Sequence, residues 1–93
     1  MNFRILYTHS YNRKAARSLN HHRNLVDQYG KTLKLLEIDP FHPSLRLHRL
    51  KGRLSALHSV SINISYRITL EFLMDEKIII PVNVGKHEKV YQG

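Results

Sequence analysis

The side chains best suited to chemistry lie in the last third of the chain. Tyr66-Arg67-Ile68 opens a strand-like run, and Gly85-Lys86-His87-Glu88-Lys89-Val90-Tyr91 follows a later one. Upstream, His48-Arg49-Leu50-Lys51-Gly52 sits within residues 40–70, a stretch without a single acidic residue. Its cations are Arg46, Arg49, Lys51, Arg53 and Arg67, with His42, His48 and His58 among them. Imidazole moves protons near neutral pH, and the planar guanidinium grips two oxygens of an anion while staying charged. An aromatic ring holds a splayed base by stacking, worth ~1–3 kcal/mol. Together these groups suit the binding and cutting of a phosphodiester. RNA needs no metal for this when its own 2′-hydroxyl is the nucleophile. The protein must then supply a base for that hydroxyl, an acid for the leaving 5′-oxygen, and positive charge for the phosphorane.

His87 is the foremost candidate, at a strand end where loops commonly carry function. A helical turn over residues 86–91 would put His87 and Tyr91 on one face. The plain alternative is a surface histidine near a terminus. Arg67 occupies a strand interior, an expensive place for a charge unless that face is open or an anion meets it. An ordinary polar outer face is the competing account. His48 and Lys51 stand in the acid-free segment. Arg46, Arg49, Lys51 and Arg53, with Lys86 beside His87, are candidate contacts to an RNA backbone, or simply a solvated basic surface. His58 is expected in the sheet or at its rim, and no chemistry is assigned to His9, His21 or His22. No histidine pair has the spacing of a metal site with supporting carboxylates, so neither metal nor other cofactor is expected.

The elements that must position these residues read as follows. Residues 3–8 alternate as a first strand. Ser10 is placed to cap a helix with Tyr11, Ala15 and Leu19 on its apolar side. A second helix carries Leu25, Tyr29, Leu33 and Leu36, is weakened by Gly30, and is ended by Pro40 and Pro43. Residues 40–53 form a basic loop with short extended pieces. Val60, Ile62 and Ile64 then alternate, with a turn near Asn63 and Ser65. Tyr66, Ile68, Leu70 and Phe72 make one face of the next strand, opposite Arg67, Thr69 and Glu71. Asp75-Glu76 turns the chain into a final strand from Ile78, in which Pro81 demands an edge or a bulge. The expected architecture is α+β: an N-terminal strand, two helices, then a three-stranded antiparallel meander, all forming one sheet packed on the helices. The helices would cover one sheet face and leave the other partly open as the working surface.

Residues 1–93 make one small domain with a thin core. The chain has no cysteine, which removes disulfides and thiolate metal sites. Its formal charge of +8 favours encounter with polyanions. No apolar run approaches the ~20 residues of a membrane span, and no signal peptide is evident, so a cytoplasmic location is expected.

These three motifs, at these separations, resemble the RelE/ParE superfamily of toxins from bacterial type II toxin–antitoxin pairs. Within it they resemble the RelE/YafQ branch of messenger-RNA interferases, across the whole chain. The resemblance implies an endoribonuclease that cuts messenger RNA at the ribosomal A site. It also implies a cognate antitoxin, encoded in an adjacent gene, that neutralises the toxin and joins it on operator DNA. His87 takes the position of the C-terminal catalytic histidine, a general acid. Tyr91 takes the aromatic stacking position, His48 the upstream histidine of YafQ-like chains, and Arg67 the arginine of RelE-like ones. Where YafQ-like chains carry a further histidine and an aspartate, this one has Ser61 and Ser65. Neither serine is a base near neutral pH without help, which leaves His48, or second to it Lys51. Two other readings stay open: a ParE-like toxin that binds DNA gyrase, and a catalytically weak basic RNA-binding module.

Overall fold

The structure, a computed structural model, describes residues 2–86. Two helices pack on a five-stranded sheet. The strands are β1 (Arg4–Ile5), β2 (His48–Arg49), β3 (His58–Ser61), β4 (Tyr66–Leu73) and β5 (Ile78–Lys86), in the spatial order β1-β5-β4-β3-β2. The helices, α1 (His9–His21) and α2 (Val26–Ile38), lie between β1 and β2 in sequence. β1 joins β5 in parallel, and the remaining pairs are antiparallel. The expected strand–helices–meander order is therefore present, with one addition. Part of the basic loop, His48–Arg49, pairs with β3 and forms the sheet's edge.

Several boundaries differ from the sequence reading for identifiable reasons. The first strand is only two residues long, because Thr8 already caps α1 with its Oγ1 accepting from the Tyr11 amide at 3.1 Å. Thr8, not Ser10, is the cap. Alternation beyond β3 stops at Ile62, which is buried, whereas Ile64 is 91 % exposed in a turn held by the Asn63 side chain. Gly30 lies inside α2 without ending it, and the helix closes at Ile38, ahead of Pro40. The Asp75-Glu76 turn is present, with Lys77 left-handed at φ 57°.

Pro81 sits where β5 bulges. Thr69 faces Asn83 but Leu70 faces Pro81, so Val82 is the extra residue. A proline has no amide to give the ladder, and the bulge absorbs that loss inside a strand that is not an edge.

The core forms where the apolar stripes meet the sheet. Tyr11 and Ala15 of α1, with Leu25 and Leu36 from the second helical stripe, pack against Val60, Ile68, Leu70, Ile79 and Val84. Burying each large aliphatic side chain contributes about 1.5–3 kcal/mol. The opposite face is partly open, as expected. Ser59 and Thr69 point to it and are buried, while Arg67 is half-buried and Glu71 exposed.

Candidate functional site

Residues level across a ladder project to the same side of a sheet, and neighbours along a strand to opposite sides. Ser61, Arg67 and Gly85 form one row, and His48, Ser59, Thr69 and Asn83 form another two residues along. His48 and Arg67 therefore share the face away from the helices. Ladder spacings put their backbones about 12 Å apart, a gap that two long side chains and a phosphate between them can fill. Nη1 of Arg67 is buried. Ser61, on the same face, spends its hydroxyl on the Asn63 carbonyl at 2.7 Å.

His48 is exposed at the sheet edge, and its Nδ1 lies 3.0 Å from the Arg46 carbonyl. A carbonyl only accepts, so Nδ1 carries the proton, and Nε2 of the neutral ring is the proton acceptor. In that tautomer Nε2 is the nitrogen that can act as a general base. The chain sets it up through Arg46, whose left-handed φ of 50° ends the short 3-10 turn Pro43–Leu45 and turns the backbone into β2. His42, six residues earlier, has the opposite arrangement. Its Nδ1 accepts from the Ser44 amide at 3.2 Å and caps that same turn.

Arg46, Arg49, Lys51 and Arg53 are all exposed. Arg49 also acts within the fold, where its Nε donates to the Ser55 carbonyl at 2.6 Å and ties the loop after β2. It is level with His58, on the other side of the sheet from His48. A hollow of about 330 Å³ lies here, lined by His48, Arg49, Leu50, Lys51 and Leu54. His58 stands at the rim with its ring 5.6 Å from Phe72. Burial, then the charge of Arg49, then His48, hold its pKa below the usual histidine value.

Lys86 is not with this group. It pairs with Tyr66, so it leaves the sheet on the helix side. His87 and Tyr91 lie outside the described residues. Among the described residues no three histidine or acidic side chains are grouped to hold a metal ion, and no helix is long and apolar enough to cross a membrane.

Sequence reasoning missed a second cleft, of about 600 Å³, between α1 and the end of β5. Lys14, Arg17, Ser18 and His21 line it from the helix, with His22, Tyr66 and Lys86 around them. The signal was present, since positions 14, 17, 18 and 21 fall on one helical stripe. It went unread because the opposing wall arrives from β4 and β5.

No family model matches the sequence, and no curated protein matches it. Solved structures do match in fold. The E. coli DinJ–YafQ toxin–antitoxin complex contains a chain that superposes with a TM-score of 0.76 at 13 % identity, covering 98 % of this chain and 99 % of that one. The RelBE2 toxin–antitoxin complex of Mycobacterium tuberculosis gives 0.69 at 13 %, covering 94 % and 100 %. A YoeB/ParE toxin from Agrobacterium tumefaciens gives 0.72 at 14 %, covering 91 % and 99 %. Over nearly its whole length, then, this chain has the fold of the RelE/YafQ-like toxins.

Proposed function

We propose that the protein is the toxin of a type II toxin–antitoxin pair and a metal-independent endoribonuclease that cuts messenger RNA in the ribosomal A site. The observation that carries this reading is the His48 tautomer, on the same sheet face as Arg67, in a chain with the YafQ-like fold. His48 Nε2 removes the proton from the 2′-hydroxyl, and that oxygen attacks phosphorus. The guanidinium of Arg67 pairs with the non-bridging oxygens as negative charge builds on them. His87 gives its proton to the departing 5′-oxygen, leaving a 2′,3′-cyclic phosphate on one fragment and a 5′-hydroxyl on the other. Tyr91 stacks on the splayed base. Arg46, Lys51 and Arg53 hold the backbone around the cut, and Arg49 braces the loop that presents them.

A cationic face of this kind must be masked in the cell that makes it. A small acidic antitoxin, encoded beside this gene, fits that need, and operator DNA is reached only through the complex the two form. Adding the purified protein to translating ribosomes and mapping new messenger-RNA 5′ ends tests the reading. Cleavage with 2′,3′-cyclic phosphate products, suppressed by the co-expressed neighbouring protein, is expected. Intact message together with blocked DNA gyrase supercoiling would replace it with a ParE-like activity.

A further inference from the structure

The cleft between α1 and β5 opens on the helix side of the sheet, away from His48 and Arg67, and has no part in the bond-breaking steps. Lys14, Arg17 and His21 are exposed on one stripe of α1, and Lys86 is exposed at the end of β5. Among the described residues no carboxylate lines the cleft. The three cations Lys14, Arg17 and Lys86 face one groove and repel one another, an arrangement that gains from an anion between them. Lys14 is steered into place, with its Nζ donating to the Val82 carbonyl, at the bulge of β5, at 3.4 Å. The wall between the cations is aromatic. The Tyr66 ring is half-buried and tilted against His22 at a centroid distance of 4.8 Å, with its hydroxyl 3.1 Å from the imidazole nitrogens. Contact with the core and with His22 fixes that ring before any ligand arrives.

We infer that this cleft is a second track for single-stranded RNA, in which Lys14, Arg17 and Lys86 meet successive phosphates and Tyr66 meets a base. Cations spaced along a groove beside a fixed aromatic face are what a sequence-tolerant single-strand site needs. An acidic peptide would satisfy the cations but leave the ring unused, so RNA is the better match. The track ends at Lys86, the residue next to His87 in the sequence. This inference rests on the ribonuclease reading given above and extends it to the helix side of the sheet.

The test is binding of a fluorescent single-stranded oligoribonucleotide, with each 2′-hydroxyl methylated to prevent cutting, to Lys14→Gln/Arg17→Gln. Lys31→Gln/Lys34→Gln on the exposed side of α2 serves as the control pair, with thermal melts to verify that both fold. Loss of two phosphate contacts should weaken binding about tenfold and reduce the slope of log affinity against log salt by about 1.4, at ~0.7 per contact. The control pair should do neither. A bromouridine-substituted strand should photo-cross-link to Tyr66. Unchanged affinity and slope in the Lys14/Arg17 variant, or cross-links confined to residues 46–53, overturn the second track and leave the ribonuclease reading standing. Absence of RNA binding and cleavage in the unaltered protein would sink both. Tenfold tighter binding of an oligoglutamate peptide than of RNA would assign the cleft to an acidic protein segment instead.

Discussion

The two flanks of the sheet handle polar groups in opposite ways. On the helix-packed flank, the hydroxyls of Tyr11 and Tyr29 bond to each other at 2.7 Å, and burial raises both pKa values, that of Tyr11 far above the ordinary tyrosine value. The pair carries no charge and satisfies itself in a part-buried setting. On the edge flank around β2, the polar groups are cations and imidazoles in water, held by backbone carbonyls: His48 by Arg46, Arg49 by Ser55. The first flank supplies stability through packing. The second presents chemistry on a strand of two residues, with few core contacts to lose. Substitutions should therefore separate cleanly into those that unfold and those that disarm.

The largest expected effect is on activity. His87→Ala should slow cleavage by ~10²–10⁴-fold, the usual contribution of a general acid, with an unchanged melting temperature. Full toxicity of this variant at matched expression would remove His87 from the mechanism. On the packed flank, Leu36→Ala should destabilise by about 2–5 kcal/mol, because Leu36 is wholly buried. Chemical denaturation would measure it, and a loss below about 1 kcal/mol would mean the helix layer is not where stability resides.

Arg67→Lys keeps the charge and loses the planar two-point grip. A cleavage rate lower by about one to two orders of magnitude is expected, with RNA affinity largely kept. If Arg67→Lys and Arg67→Ala both unfold the protein, Arg67 belongs with the packed flank. Tyr29→Phe deprives the Tyr11 hydroxyl of its partner and should cost about 1–3 kcal/mol of stability with no change in cleavage per folded molecule.

The smallest effect tests the seam between the flanks. His58 has its pKa lowered by burial, then by Arg49 and His48. Unfolding frees it to take a proton more readily, so its contribution to stability is complete above the ordinary histidine value of 6.5 and is lost as pH falls below that value and through the folded one. His58→Phe should flatten the decline in denaturation midpoint between about pH 7.5 and 5.5. Two parallel curves would show that His58 titrates alike in both states.

Much of this was legible in the sequence because it depends on local periodicity. The stripes of Tyr11 and Ala15, and of Leu25 and Leu36, the alternation through Ile68 and Leu70, and the need for an edge or a bulge at Pro81 follow from residue spacing and backbone chemistry alone. So did the basic, acid-free segment that surrounds His48. What only the tertiary structure decided was which side of the sheet each cation faces, and what stands opposite it. Strand pairing put His48 and Arg67 on one face and Lys86 on the other. A turn conformation at Arg46 chose the tautomer of His48. Packing of α1 against the sheet set Lys14, Arg17 and His21 across from Tyr66, 45 residues after His21 in the chain. Periodicity reports the neighbours of a residue along its own element, whereas a site is made of neighbours across elements, and those are set by register and packing.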